Sequence, residues 1–494
     1  MFVRTYSSTI QGIDAITVTV EANISAGIGM YIVGLPDNAV KESQERIRSA
    51  FENCGYRMTG KRLVVNLAPA DLRKEGSGYD LPIAISVLAA SGQMSADDIG
   101  KYVIMGELSL DGTLKPVKGA LPVAMRAKAD GFKGVVLPVQ NVPEAVVVGG
   151  LDVIGVGSLR QAVDFLSGAV LIEPAVFGMS DMLDGAETRY EEDFSDVRGQ
   201  AHVKRALEIA AAGGHNVVMI GAPGSGKTML ARRMPTIMPP LTVDEALETT
   251  KIHSVAGKLG SESGLLTRRP FRAPHHLTSQ VALVGGGGSP QPGEISLAHN
   301  GILFLDELPE FGRSILEVLR QPLEDRVITV ARAKYSVVYP ANFILIASMN
   351  PCPCGYYNHP GKECTCTPGA VKKYMNRISG PLLDRIDMHI EVTPVDFSHM
   401  NSDRAEESSA VVRERVSKAR DVQRRRFAGI GGVHTNAVMN SKMIREYCPL
   451  SPQCSALLER AMTRLDLSAR AYDRIIKDAR SKIYPIYNHQ HRIA

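Results

Sequence analysis

Between Asn216 and Arg233 the chain reads NVVMIGAPGSGKTMLARR, and no other stretch restricts the fold as much. An apolar run, Val217–Ile220, leads into Gly221-Ala222-Pro223-Gly224-Ser225-Gly226-Lys227-Thr228, and Met229 continues into a segment of helical character. Small residues let consecutive backbone N–H groups point inward at a phosphate, and the N-terminus of a following helix adds its partial positive charge. The motif needs a strand before it and a helix after it, so this part of the chain is committed to an α/β fold. Lys227 is expected to reach the terminal phosphates of a nucleotide, and Thr228 to ligate Mg²⁺.

Two further apolar runs fit the same sheet, since parallel strands buried on both faces read as continuous apolar stretches. Gly301-Ile-Leu-Phe-Leu-Asp-Glu307 ends in two carboxylates. Asp306 is expected to organise Mg²⁺ and its waters. Glu307 is expected to polarise an attacking water, which points to hydrolysis of a nucleotide γ-phosphate and away from transfer to another acceptor. Phe343-Ile-Leu-Ile-Ala-Ser-Met-Asn350 ends in an amide placed to hold that water or sense the γ-phosphate; read alone, Asn350 is as readily a turn residue.

The rest of the chain sets limits. Its 494 residues and 44% apolar content are enough for two to four ordinary domains. No 18-residue apolar run occurs, and the N-terminus alternates as a strand does, so the expectation is a cytoplasmic protein with neither membrane span nor secretory signal. The net charge is only +4, yet residues 400–494 hold 18 Lys/Arg against 10 Asp/Glu. A polyanion, if one is bound, is therefore held locally.

Texture divides the chain into 1–170, an acidic linker at 171–192, a glycine-rich core at 193–397 and a helical region at 398–494. In the first part, strands are expected at Ile16–Val20, Leu63–Leu67 and Val135–Leu137, with helices at Asn38–Glu52 and Leu81–Ser91. Arg404–Arg426 and Ser455–Lys482 each read as one continuous helix. Val327–Val338 reads as a two-strand hairpin with Arg332, Lys334 and Tyr335 at its tip, which offers cations to phosphates and a ring to a base. A solvated surface hairpin has the same pattern.

Four of seven cysteines, Cys352, Cys354, Cys364 and Cys366, crowd into fifteen residues. Thiolates at that density suit a tetrahedral Zn²⁺; two disulfides or free thiols are the other readings.

Taken together, these residues resemble a magnesium-chelatase-like AAA+ ATPase of the ComM/YifB competence family. The resemblance rests also on Asp196-Val-Arg-Gly-Gln200, Arg269-Pro-Phe-Arg-Ala-Pro-His-His276, Pro292–Gly301, Leu308-Pro-Glu-Phe311 and Asn350-Pro-Cys-Pro-Cys-Gly355. It covers about residues 1–482. It implies an α/β AAA+ core with a helical C-terminal lid, with Gln200 at the nucleotide. Arg385 would be a finger reaching a neighbouring subunit's γ-phosphate, and Arg470 a second sensor from the lid. It further implies ATP and Mg²⁺ as cofactors, a homo-hexamer and single-stranded or branched DNA as partner. The activity implied is branch migration in recombination during natural transformation. A chelatase-like remodelling subunit acting on a protein or metal-insertion partner is the alternative.

Ala70–Asp80, Met105–Gly112 and Pro116–Gly119 resemble an α+β Lon-protease-like domain of ribosomal S5 type. Matched residue by residue, Gly78 stands where that protease has its serine and Leu121 where it has its lysine, so a non-catalytic domain is expected. Beyond Arg480 the chain departs from the family pattern, and Pro485 interrupts the helical run.

Overall fold

Alternation at the N-terminus becomes an antiparallel pair. Strand β1 (Phe2–Gln11) lies against β2 (Asp14–Ser25), in register from Phe2↔Asn23 to Gln11↔Asp14. Together with β3 (Met30–Val33), β4 (Arg62–Ala68), β5 (Tyr102–Ile104), β6 (Gly134–Pro138) and β7 (Asp152–Val156) they form a sheet in the order β3-β4-β2-β1-β5-β6-β7. The computed structural model describes residues 1–176, 190–260, 264–287, 290–332, 335–394 and 406–483, with backbone alone at 332, 335, 482 and 483. The acidic linker thus lies largely outside the described residues.

Helix α1 (Asn38–Cys54) starts where Asp37 accepts the Val40 N–H at 2.8 Å and ends at Gly55 in the left-handed region. This is the capping its sequence calls for. Helix α2 (Asp80–Ala90) is buried along its whole length, and its one charge, Asp80, is held by a two-pronged contact from Arg46 at 2.7 and 2.9 Å. Ser77 Oγ donates to the Glu107 carboxylate, while the buried Lys74 ammonium donates to the carbonyls of Pro69 and Leu72. The serine and the lysine are thus committed to different partners.

Chain contacts place Met1–Ala186 in one compact unit together with Val243–Thr267 and Gly287–Pro292. That differs from the expectation of an uninterrupted core at 193–397. The reason is side-chain burial on the helix Val243–Ala256, where Ser254 Oγ donates to the buried Glu144 carboxylate at 2.5 Å and Ser254 O accepts the N–H of Gly119, the residue before helix α3 (Ala120–Ala129), at 3.2 Å. Its sequence shows a polar helix; the partner is only visible in three dimensions.

The second unit, Glu187–Thr242, Arg268–Gly286 and Gly293–Ala494, is built on a sheet that is parallel throughout. Its strands are β8 (Val217–Gly221), β9 (Phe271–Arg272), β10 (Ile302–Leu305), β13 (Ile344–Met349) and β14 (Met388–Val392), in the order β9-β10-β13-β8-β14. Strands β11 (Val327–Arg332) and β12 (Tyr335–Pro340) make the expected hairpin, paired from Val327↔Pro340 to Arg332↔Tyr335. β10 and β13 are buried at every residue, as their apolar runs require. Helices α4 (Ala201–Gly213) and α5 (Lys227–Ile237) contribute Val203, Leu207, Leu230 and Met234 to the core around them. Because β8 sits between β13 and β14, loops from non-consecutive strands converge at one carboxyl edge.

Two helical expectations are corrected. The charged helix begins at Ser409, not Arg404, as α7 (Ser409–Arg426), after the short α6 (Arg320–Asp325). Residues 404 and 405 lie outside the described residues, and Glu406 is drawn away to accept from Gly199 N and Lys204 Nζ, both at 2.7 Å. The run Ser455–Lys482 is two helices, α8 (Pro452–Leu465) and α9 (Ala469–Ile483), broken where Asp466 turns left-handed and Ser468 Oγ caps Ala471 N–H. Pro485 and the rest of the departing end lie outside the described residues.

What seats α9 on the nucleotide unit is a buried ion cluster. His215, fully buried before β8, has Nε2 at 2.7 Å from Ser481 Oγ, and Nδ1 at 2.9 Å from Asp478 and 3.8 Å from Asp387. The 2.9 Å contact is poorly aligned for a hydrogen bond and acts as an ion pair. Burial alone would lower the His215 pKa, but Asp478 and then Asp387 outweigh it and hold the imidazolium up to about 9. That folded-state value lies above the ordinary 6.5, so its stabilisation is complete below about pH 6.5 and is lost as pH rises to about 9. The melting temperature of the wild-type chain is expected to fall across that window. His215→Gln should flatten the profile while costing about 3–5 kcal/mol, because two carboxylates lose their cation. Equal pH slopes in wild type and variant would refute the assignment.

Candidate nucleotide site

The phosphate loop grows directly out of the sheet. Gly221 ends β8 where a Cβ would stand 2.3 Å from Val392 O and 2.9 Å from Ser225 Oγ, so only glycine fits that close approach. The loop then turns into α5, whose first residues are Lys227 and Thr228. Gln200 braces it from outside. Its amide donates to Ser225 O at 2.7 Å and to Thr393 O at 3.3 Å, tying the loop to the end of β14. Ser225 Oγ is buried with no hydrogen-bond partner among the described residues, an orphan polar atom of the kind that a bound phosphate oxygen satisfies.

Lys227 Nζ donates to Gly221 O at 2.7 Å, Ala222 O at 2.9 Å and Asn350 Oδ1 at 3.3 Å. Burial lowers its pKa, opposed by the nearby Asp306 and Glu307 carboxylates. Thr228 Oγ1 donates to Asp306 Oδ2 at 2.9 Å. These hydroxyl and carboxylate oxygens form a hard-oxygen pair suited to Mg²⁺, which would be held by Thr228 and Asp306. Asp306 Oδ1 is engaged by the Ser348 hydroxyl and by Glu307 N–H at 3.1 Å. Glu307 itself is turned into the left-handed region, and its carboxylate is more than half exposed. Its Oε2 lies 3.6 Å from His276 Nδ1.

Lys227, Thr228, Asp306, Glu307 and Asn350, read from three separate stretches, therefore meet at one edge of the sheet. Ala222, Pro223, Gly224 and Gly226 lie in the loop between; Met229, in the first turn of α5, is exposed.

The two arginines are elsewhere engaged. Arg385 Nη2 lies 2.7 Å from Glu324 Oε1, its Nη1 donates to Pro381 O at 2.5 Å, and its buried Nε has no partner among the described residues. Arg470 Nη2 lies 3.4 Å from the same Glu324 oxygen. Glu324 belongs to α6, immediately before the β11–β12 hairpin. In that hairpin Arg332 and Tyr335 form the last backbone pair. Lys334 lies outside the described residues, and so do the side chains of the other two.

Of the cysteines, Cys352 is buried, and its Sγ lies 3.4 Å from that of Cys354 and 3.8 Å from that of Cys364; Cys354 and Cys364 are 3.6 Å apart. All four ligand atoms fall within 4.8 Å of one another. A disulfide would bring two sulfurs to about 2.05 Å. Tetrahedral zinc with Zn–S near 2.3 Å sets sulfur–sulfur edges at about 3.8 Å, and the observed spacing matches that. The backbone N–H of Tyr356 stabilises the Cys354 thiolate and draws its pKa down to about 6.

Three profiles match the chain in sequence. "Magnesium chelatase, subunit ChlI" covers residues 193–400, "Subunit ChlI of Mg-chelatase" covers 20–141, and "Magnesium chelatase, subunit ChlI C-terminal" covers 406–482. The competence protein ComM of Haemophilus influenzae is 44% identical over 96% of this chain and 92% of its own length. The chain belongs to the ComM/YifB family. Its relative YifB of Escherichia coli is 43% identical over 95% of the chain and 90% of its own length. More distant is the magnesium-chelatase 67 kDa subunit of Heliobacterium mobile, 26% identical over 46% of the chain and 37% of that protein. The family carries the magnesium-chelatase-like AAA+ architecture seen here, a parallel sheet core followed by helices. Among the described residues, no helix is long and apolar enough to cross a membrane.

Sequence reasoning missed Ser348, Glu324 and the role of His276. His276 lies inside a family string already noted; Ser348 and Glu324 carry no motif. Ser348→Ala is expected to raise the Mg²⁺ concentration for half-maximal nucleotide turnover about tenfold, since it removes a partner that orients Asp306. Metal titration of the turnover rate checks this, and an unchanged midpoint would rule Ser348 out as a positioning residue.

Proposed function

We propose that this ComM/YifB protein is an ATP-hydrolysing motor that works as a hexameric ring on single-stranded or branched DNA. Branch migration in recombination during natural transformation is the activity that fits it. The observation that carries the ATPase reading is the convergence of Lys227, Thr228, Asp306, Glu307 and Asn350 at one sheet edge. Lys227 holds the terminal phosphates, Asn350 and Glu307 orient and polarise the attacking water, and Mg²⁺ supplies neutralisation of phosphate charge when bound. The cysteine cluster holds a structural Zn²⁺.

Arg385 acts across a subunit boundary in this reading, and Arg470 from the lid. Each must leave Glu324 to do so. Support for a DNA substrate comes from the relative named for competence and from the basic excess of residues 400–494. The hairpin residues Arg332, Lys334 and Tyr335 are the contacts proposed for it. A chelatase-like remodelling role is the second reading, favoured by the distant match to a magnesium-chelatase subunit.

ATP turnover is expected to rise when four-way-junction or single-stranded DNA is added and to vanish in Lys227→Ala. Arg385→Ala alone should lose about a thousandfold in turnover. It should regain part of it when mixed with Lys227→Ala, because a finger in trans leaves each site split between two chains. Turnover indifferent to every DNA, with no junction displaced, would favour the remodelling reading. Absence of complementation would remove the trans assignment.

A further inference from the structure

The cysteine loop does more than close on itself. It leaves the sheet at Asn350, whose side chain already accepts from Lys227, and two residues later Cys352 is buried. Gly355, the next residue after Cys354, sits at φ +86 with its α-carbon pressed on the phosphate loop. A Cβ there would stand 2.5 Å from Pro223 Cδ and 2.7 Å from Pro223 Cγ. Both the positive φ and the missing side chain are needed for that contact. A cavity of about 330 Å³ is lined by Gly221 and Ala222, by Pro351, Gly355, Tyr357 and Asn358, and by the end of β14. The cysteine loop thus lines the arm of the phosphate loop.

The turn that carries the first cysteine pair is closed by the Gly355 N–H, which donates to Cys352 O at 3.0 Å, and the sulfurs of Cys352, Cys354 and Cys364 stand 3.4–3.8 Å apart as zinc ligands do. Residues 355–363 contain two glycines, a proline and no regular element; local turns hold them, with His359 N–H donating to Tyr356 O at 3.1 Å and Gly361 N–H to His359 Nδ1 at 3.0 Å, and a cross-link between the Cys352–Cys354 and Cys364–Cys366 pairs would fix where the loop starts and ends. A short loop of this composition, uncrosslinked, keeps most of its conformational freedom.

We propose that a zinc ion bound by Cys352, Cys354, Cys364 and Cys366 clamps Gly355 onto Pro223 and holds Asn350 at Lys227, so that nucleotide affinity depends on the metal. The inference rests on the nucleotide and zinc readings above and adds a coupling between them. Loss of zinc releases Gly355, the phosphate loop keeps the Gln200 brace but loses its support at Pro223, and the backbone N–H groups no longer converge on the phosphate before it arrives.

The test measures zinc per chain by elemental analysis and affinity for a fluorescent ATP analogue, both on the full chain. Wild type should carry one zinc. Stripping it with a thiol-reactive mercurial and a chelator, then reversing the mercurial with dithiothreitol, should weaken nucleotide binding about tenfold or more, and zinc should restore it. Cys364→Ser should lack zinc and bind as weakly as the stripped protein. Gly355→Ala should keep its zinc and still bind weakly, which separates the contact from the metal. Should Cys364→Ser not fold, the stripped wild type and Gly355→Ala decide the matter. Full affinity after zinc loss, or in Gly355→Ala, overturns the coupling, and so does wild type without zinc. Zinc-loaded wild type that binds no nucleotide defeats instead the ATPase reading beneath it.

Discussion

The hydrogen bond from Thr228 to Asp306 joins residues 78 apart in sequence, and the chemistry of the site depends on it. It forms because β8 and β10 run parallel with β13 between them, so that a helix start and a strand end face each other across one strand. Ser348 on that intervening strand completes the link to the same carboxylate. A slip of one residue in β10 or in β13 would turn Asp306 or Ser348 to the opposite face of the sheet. Strands β10 and β13, buried at every residue, resist that slip, since burial on both faces fixes their place.

The lid is anchored by charge and not by apolar area alone. A buried imidazolium between Asp478 on α9 and Asp387 just past Arg385 ties the lid helix to the chain that carries the proposed finger. Arg415 reinforces the seat from α7, gripping Glu208 on α4 at 2.7 Å. Such buried pairs specify position more than they add stability, because desolvation offsets much of their attraction. Position is what the proposed delivery of Arg470 by the lid requires.

Glu324 occupies a telling place. One carboxylate, 44% exposed, accepts both Arg385 and Arg470, and its helix runs straight into the β11–β12 hairpin. The exposed Arg470–Glu324 pair is weak enough to exchange for a phosphate, whereas Arg385 is held nearly buried against the same carboxylate. The two arginines and the start of the hairpin are thus adjacent within one unit, the arrangement that the proposed motor would use to connect its hairpin with its arginines.

Local sequence alone determined the phosphate loop, the strands that frame it and the carboxylates at their ends, because each depends on a short pattern of size and polarity. The hairpin and α1 were legible for the same reason. Helix α7 and the break at Asp466 were misjudged, since Glu406 is claimed by Gly199 and Lys204 from distant elements and Asp466 takes a left-handed turn that helical periodicity does not reveal. Which unit the helix Val243–Ala256 joins, the shared carboxylate of Glu324, the burial of His215 between two aspartates and the contact of Gly355 with Pro223 were decided only by tertiary structure. Each pairs residues remote in sequence whose types are unremarkable, and only their closeness in space gives them a role.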